Sequence, residues 1–530
     1  YEQFPLNQLP MEFRDFGSTP LTEIVMGDTE AGFASADVIC EESCAYEGVP
    51  NPLPPEPPGL IIRWEGENKL TIWSATQSVS LHRFITQTMM GFPDIRSIAT
   101  YCGGSYGSKN FYEVICLHAA ALAKAADRPV KIYYTKSEHM AAFVLRPSSR
   151  LHCKVGLKKD GTVTAIAGNW IVGCGAHSTM VQGQICVGCG EAQLAVRCDN
   201  WDLKTKCVVT NRNPSGPVRG FGGQELKSAL WPVLSFAMEK IDIDPVEFYK
   251  KNFVKTGDGY YWRDGAWWTS KVNYIDVMEK GAKAFGWRDK WKGWLKPTSV
   301  NGAKRTGVGV GIHGNADVGE DRSEAYVRIN PDGTAVIHAC VSECGAGQRN
   351  SLCKMAAEIL QLPMEKVEMT PPDTLLAPFD MGLIGSRGTY AVGSAVISAA
   401  LDARQKLLES AAQAFKTMPE ELDMADGTVY HKNAPGKRIP WMEIMGPFKT
   451  FTGIGSFDPD HSITNFMLHF VQVEVDTETG KIDLVRMVQA TDAGTIIDPA
   501  VLEGQLYGSL GSGGVDTAIS EETIIDKKSG

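Results

Sequence analysis

The chain has 530 residues, a net charge of -10, and 43% hydrophobic against 22% charged residues. That is roughly three or four domains' worth of chain with an ordinary globular composition. The acidic balance argues against a nucleic acid or an anionic membrane as partner, and no run approaches the ~18 apolar residues of a spanning helix.

Thirteen cysteines are scattered, many in apolar or glycine-rich surroundings. This suits buried free thiols in a reducing cytoplasm better than a disulfide framework. Cys186 and Cys189 form the sole C-x-x-C, with no second pair at zinc spacing. A metal or redox role for them competes with simple packing. The chain begins at Tyr1 without a signal peptide, so it reads as processed, truncated or incomplete.

Residues 1–30 show no period, and strand-like chain begins at Phe33 to Glu42. The run from Pro50 to Pro58 holds six prolines and excludes helix and central strand. It reads as an ordered extended segment or a linker. Leu60 to Trp64 and Lys69 to Trp73 flank a turn as a hairpin, which leads into Ser74-Ala75-Thr76-Gln77 and a helix from Val79 to Met90. A strand from Ile95 to Thr100 precedes Cys102-Gly103-Gly104-Ser105-Tyr106-Gly107-Ser108-Lys109, and a helix-like run follows from Phe111 to Ala126. Small residues here let the backbone approach a ligand, and a helix N-terminus favours an anion. The Walker spacing fails. A plain strand-to-helix turn is the alternative.

A strand from Pro129 to Tyr134 comes next, then a hairpin of Leu151 to Leu157 and Thr162 to Val172 about Asp160-Gly161. Thr205 to Thr210 leads to Arg219-Gly220-Phe221-Gly222-Gly223 and a helix from about Glu225 to Lys240. Trp262 to Trp294 is tryptophan-rich packing surface. The polar stretch Lys296 to Arg305 marks a boundary.

Gly307 to Gly314 contains G-x-G-x-x-G, but no helix pattern follows, so it reads as a glycine-rich strand and not a dinucleotide site. A hairpin of Ala325 to Ile329 and Thr334 to Cys340 delivers Glu343-Cys344-Gly345-Ala346-Gly347-Gln348 to a helix from Leu352 to Leu360. Val367 to Thr370 leads to Gly385-Ser386-Arg387-Gly388-Thr389 and a helix from about Ala391 to Phe415. Strands His469 to Asp476 and Ile482 to Ala490 end at Asp492-Ala493-Gly494, and Gly504-Gln505 opens a last helix. The recurring theme is a strand end, a glycine-rich turn and a helix start. One large anionic ligand held by several such turns would account for it; independent turns are the alternative.

Six of these turns, in order, resemble the molybdopterin-binding large subunit of the xanthine dehydrogenase and aldehyde oxidoreductase family of molybdenum hydroxylases. The resemblance spans nearly the whole chain. It implies an α+β fold of mixed sheets and helices in two cofactor-binding lobes, 1–300 and 301–530, the second incomplete, with the cofactor between them. It implies a pyranopterin dithiolene holding molybdenum with no direct protein ligand, the protein supplying orientation and electrostatics. The tail is expected to be the cytosine dinucleotide form, from Gly385-Ser386-Arg387, with arginine on the diphosphate. Electrons would leave to an iron–sulfur subunit with [2Fe-2S] clusters and on to a flavin subunit carrying FAD.

By the same resemblance, Gln77 hydrogen-bonds an oxo ligand of the metal, Tyr106 packs on substrate and Arg219 stabilises negative charge on it. The cofactor-binding set is Gly104, Ser105, Tyr106, Gly107, Arg219, Gly345, Ala346, Gly347, Gly385, Ser386, Arg387, Thr389 and Gln505. The reaction implied is hydroxylation of an electron-poor carbon, in an N-heteroaromatic, aldehyde or related substrate, with oxygen from water. A catalytically altered scaffold in the same kind of complex is the alternative. Departures from the family pattern are Asn110 where purine-oxidising members carry glutamate, Gly220 where carbon monoxide dehydrogenases carry cysteine, Ala346 for glutamine and Asp498 for asparagine. The family's catalytic glutamate would lie beyond Gly530, so a partner or further chain is expected to supply it, with Glu343 the best internal candidate.

Overall fold

The computed structural model describes residues 3–4, 23–48, 52–91, 94–99, 101–110, 113–176, 180–262, 265–269, 272–316, 322–459, 464–510, 514–522 and 524. Two small sheets with the same topology organise it. In the first, the hairpin Gly59–Trp64 and Lys69–Ser74 is followed by the helix Val79–Met90, the strand Asp94–Ile98 parallel to Lys69–Ser74, the helix Glu113–Ala126, and the returning strand Val130–Tyr133 antiparallel to Gly59–Trp64. In the second, Ser323–Ile329 and Ala335–His338 form the hairpin. The helix Gln348–Leu360, the parallel strand Val367–Met369, the helix Gly393–Phe415 and the returning strand Phe451–Phe457 follow in the same order.

A parallel strand pair needs a crossover helix, and each crossover leaves a loop at the carboxyl end of a strand. The two sheets abut at those ends. Ile98 bridges Asp373 and Tyr101 bridges Glu343, with Ala99 N donating to Pro372 O and Thr374 N to Ser97 O. The loops around 75–78, 102–109, 343–347 and 373–389 therefore meet at one seam. Open α/β sheets place ligands outside carboxyl strand ends for this reason.

Two larger sheets frame the pair. A six-stranded sheet runs Gln3–Phe4, Trp201–Val209, Val163–Gly175, Ser149–Leu157 and Val38–Tyr46, with Ile24–Met26 beside Trp201–Val209. An antiparallel sheet of Ser299–Asn301, Lys304–Ala316, Thr464–Asp476 and Ile482–Asp492 packs on the helices Val181–Ala195 and Tyr274–Phe285. One core joins Trp170, Leu230 and Phe248 to Ile312, Phe466 and Phe470. Another lies under the second small sheet, around Val327, Leu352 and Leu407.

Most expected elements are present, and four differ. Phe33 ends a short helix, Thr29–Ala34, before the strand starts at Val38. Val181–Ala195 is a helix that carries Cys186 and Cys189 as core thiols; burial raises the Cys189 thiol. Leu422–Ala425, Thr428–His431 and Ala434–Pro440 form a three-stranded sheet. The last long helix starts at Pro499, with Asp498 accepting from Val501 N at 3.3 Å, so Gly504 and Gln505 lie inside it. Proline at a first helical position is well suited to such a start. The glycine-rich segment Lys304–Ala316 is one long strand.

Candidate active site

Gln77 lies in the turn between the strand Lys69–Ser74 and Ser78, the N-cap of the helix Val79–Met90. Its amide spans two loops. Oε1 accepts from Gly107 N at 3.2 Å, and Nε2 donates to Leu383 O at 2.5 Å. Leu383 N donates back to Gln77 O at 3.3 Å, and Ser78 Oγ donates to Met381 O. An amide nitrogen carries two hydrogens, so Gln77 retains one donor beyond Leu383.

The loop after Asp94–Ile98 is shaped by close backbone packing. Tyr106 has φ +54° and Gly107 φ +99°. A methyl group on Gly107 would sit 2.8 Å from Pro217 O. Tyr106 is a non-glycine residue held in the left-handed region, which costs on the order of 1–3 kcal/mol and concentrates at functional sites. Ser105 Oγ accepts from Lys109 N at 3.1 Å. The Lys109 side chain is wholly buried and pairs with Glu56 Oε2 at 2.9 Å. The same oxygen accepts from Gly103 N at 2.7 Å, and Pro54 and Pro55 pack against Gly104. The described part of the proline-rich segment is thus ordered and bound to the loop.

Arg219 joins this loop to the last long helix. Its N donates to Tyr106 O at 2.7 Å, and Nη2 donates to Gln505 O at 2.9 Å. Arg146 donates to the Arg219 carbonyl and pairs with Glu225 at 3.0 Å, both buried. Burial lowers the Arg219 pKa while the nearby Tyr106 raises it; an arginine stays protonated under such a shift. Among the described residues, a methyl group on Gly508 would meet only Arg219 Nη1, at 3.6 Å. At Gly345 and Gly504 it would meet nothing within 4 Å. Gly508 thus lies beside the guanidinium, and Gly345 and Gly504 leave space among the described residues.

From the second half, Glu343 caps the helix Gln348–Leu360. Its carboxylate accepts from Gly345 N at 2.8 Å, Gly347 N at 3.0 Å and Arg349 N at 3.3 Å. That role removes it as a mobile base, and Ala346 lies in the turn it fixes. Gln348 Nε2 lies 3.3 Å from Thr389 Oγ1. Gly385 and Ser386 both have positive φ, +56° and +62°.

Arg387 departs from the expectation of a phosphate-facing arginine. Its side chain is wholly buried, pairs with Asp380 at 2.7 Å and donates to Ser323 Oγ at 2.7 Å. Burial raises the Asp380 pKa and the guanidinium opposes this, so Arg387 is spent on an internal acid. The structure therefore brings together Gln77 with the 103–107 loop, and Tyr106 with Arg219 and Gln505. It does not bring the Arg387 side chain to that space. Glu56, Gln348 and Asp380 frame the site; Gln348 closes a turn the sequence already marks, and nothing in the sequence marks Asp380. The acid inside a proline run was the one available signal for Glu56.

Among the described residues, no helix is long and apolar enough to cross a membrane. Two models described as molybdopterin cofactor-binding domains match the chain, over residues 15–253 and 280–530. The chain is 28% identical to the probable hypoxanthine oxidase XdhD of Escherichia coli K12 over 94% of its own length and 53% of that protein. It is 27% identical to the aldehyde oxidoreductase molybdenum-binding subunit PaoC of Escherichia coli O157:H7, covering 95% and 67%. The fold matches quinoline 2-oxidoreductase from Pseudomonas putida 86 with a TM-score of 0.84 at 21% identity, covering 95% and 67%. It also matches the aldehyde oxidoreductase of Desulfovibrio gigas with a TM-score of 0.77 at 23% identity, covering 95% and 54%. The chain thus spans about half the length of the first curated relative, 53%.

Proposed function

Because the chain belongs to the molybdopterin-binding subunits of the xanthine dehydrogenase and aldehyde oxidoreductase family, we propose that it is the catalytic subunit of a molybdenum hydroxylase. Its substrate is a molecule with an electron-poor carbon, in an N-heteroaromatic ring, an aldehyde or a related group. The observation that carries this reading is the seam: Gln77 bonds the loop of Tyr106, and Arg219 joins that loop to Gln505 with Gly508 leaving room beside the guanidinium.

The residues suit a cofactor that brings its own metal ligands. Such a group needs close backbone approach and hydrogen-bond donors, not a cluster of protein ligands. Open glycine positions supply the first. The spare Gln77 hydrogen, the Arg219 guanidinium and the backbone N–H groups before the helix Gly393–Phe415 supply the second. When bound, the cofactor provides two-electron oxidation with water as the oxygen source.

The chain's own contributions follow from position. Gln77 donates without adding charge. Tyr106 offers an aromatic face with a hydroxyl. Arg219 stabilises negative charge that develops on the substrate, and its partial burial strengthens the effect. Glu343 and Glu56 are committed to backbone N–H groups and to Lys109. We therefore assign proton removal to a carboxylate from another segment or partner chain.

The tail of the cofactor is proposed to be the cytosine dinucleotide. Its diphosphate would be held by backbone N–H groups near Gly385, Ser386 and Thr389, since the Arg387 side chain is engaged with Asp380. All thirteen cysteines are free thiols, which supports a cytoplasmic setting. The cysteine spacing suits no iron–sulfur cluster in this chain, which supports passage of electrons to a separate subunit with [2Fe-2S] clusters and, beyond it, a flavin subunit. Metal and pterin analysis of the purified complex tests the reading. Stoichiometric molybdenum with cytidine monophosphate released by acid is expected. Absence of both molybdenum and tungsten overturns the function, and release of a pterin without nucleotide overturns the tail.

A further inference from the structure

Each of the two abutting sheets brings a cysteine to the seam. Tyr101 bridges Glu343 in parallel register, and Cys102 N donates to Glu343 O at 2.7 Å. The next pair in that register is Cys102 and Cys344. Neighbouring strands lie about 4.8 Å apart, inside the ~4.4–6.8 Å window of Cα separations that a disulfide spans. Both side chains are free thiols, and each lies close enough to shift the other's ionisation; the Cys102 thiol itself donates to Ala75 O at 3.2 Å and Gly104 O at 3.3 Å. Cys102 is only 3% exposed, whereas Cys344 is half-buried.

We propose that Cys102 and Cys344 are a peroxide-reactive dithiol that closes to a disulfide across the seam. The neighbouring Cys344 thiol lowers the Cys102 pKa, and Lys109 adds to the effect against burial and Glu56. The Cys344 thiol is correspondingly pushed up, with burial and Glu343 acting in the same direction. Of the two sulfurs, Cys102 is the one that ionises more readily. A thiolate, not a thiol, attacks peroxide.

The chemistry balances as two steps. The Cys102 sulfur attacks one oxygen of hydrogen peroxide and the O–O bond breaks. Cys102 becomes a sulfenic acid, and the departing hydroxide takes up the proton released when Cys102 ionised, giving water. The Cys344 sulfur then attacks the Cys102 sulfur and the S–O bond breaks. The S–S bond forms and a second water leaves with the Cys344 proton. Two electrons pass from the dithiol to the peroxide, and an external thiol reductant reverses the change.

Cys102 directly precedes the loop of Tyr106, and Cys344 directly precedes Gly345. The disulfide would fasten together the two turns that flank the proposed cofactor space. The consequence for the cofactor rests on the proposed function; the dithiol itself does not, so its test reads sulfur chemistry alone. Cys174 and Cys207 serve as an internal control, because their thiols also shift each other's ionisation but both are fully buried within one sheet.

The purified complex is freed of reductant and treated with hydrogen peroxide at a small molar excess. Its thiols are blocked under denaturing conditions, and peptides are mapped without reduction. The expected result is a Cys102–Cys344 linked peptide, and a thiol count that falls from 13 to 11 and is restored by dithiothreitol. Cys102→Ser and Cys344→Ser should each abolish that fall. The proposal is overturned if the wild-type protein yields no such peptide while other cysteines oxidise. It is also overturned if the link forms only after unfolding, or if Cys174 and Cys207 join first.

Discussion

Arg219 is held on three sides, by the backbone carbonyls Tyr106 O and Gln505 O and by donation from the Arg146 side chain to its own carbonyl. Among the described residues no carboxylate pairs with it. A positive group left without an internal counter-ion is well placed to meet charge arriving on a substrate. Arg219→Ala should lower kcat by roughly 10²–10³ with metal content unchanged, the range for losing one transition-state electrostatic contact. Gln77→Ala should also lower kcat. It should in addition destabilise the protein by about 2 kcal/mol, since two hydrogen bonds that tie Gly107 to Leu383 are lost. Wild-type turnover in both metal-loaded variants would refute the assignment. Arg387 teaches the opposite lesson. Its place in a glycine–serine turn suggested phosphate, yet the side chain turns inward to Asp380, seven residues back. Sequence pattern locates the turn but not the rotamer, and the rotamer decides what an arginine meets. Arg387→Ala should cost about 3–5 kcal/mol in urea denaturation, because Asp380 would be left as a buried unpaired acid. A loss confined to nucleotide affinity would instead restore the phosphate reading.

Elements with strong local signals were legible. The helix Val79–Met90 follows from its cap at Ser78 and its C-terminal Gly91, and the hairpins follow from their turns. The helix Val181–Ala195 was not legible. It is buried on nearly every side and carries three glycines and two cysteines, so it has no polar face to give a period. The duplicated topology was visible only as recurring glycine turns, because the two units share spacing of elements and not of residues. The helix Pro499–Leu510 shows what joins them. Its Val501 packs on Gly347, and its Asp498 pairs with Lys354 and accepts from Asn350. A methyl group on Gly347 would sit 2.5 Å from Val501 Cγ2, at a φ of +63°. Gly347→Ala should therefore destabilise by about 1–2 kcal/mol from the left-handed backbone alone, and by more from the clash. Val501→Ala should recover the clash component in a double-mutant cycle. Additive effects of the two changes would show that the helix does not dock there.

At the scale of the whole molecule, buried histidines set the response to acid. His82 lies between Ser74 Oγ and Cys116 Sγ, and burial lowers its pKa to about 4. Burial, with Lys136 and Lys109, lowers His139 to about 4 as well. An unfolded histidine titrates near ~6.5. The unfolded chain therefore binds more protons than the folded one between these values, and stability rises with pH across that window. The contribution is fully present above about 6.5 and is lost as pH falls toward about 4, at up to ~1.4 kcal/mol per pH unit for each histidine. His82→Asn should flatten the slope of urea stability between pH 6.5 and 4.5; an unchanged slope would place the proton uptake elsewhere. The pairing of Gln77 with Leu383 has a different consequence, one of timing. The two residues lie 306 positions apart, and Arg219 and Gln505 lie 286 apart. Contacts of such separation form slowly, because the intervening chain must first be ordered. While the chain is being synthesised, its first unit can close its own hairpin and crossover helices, yet the seam has no second wall until residue 383 and then residue 505 have emerged. Cofactor loading is thus a step that follows synthesis of both units, and backbone amides at Gly107 and Leu383 should gain exchange protection together and late in refolding.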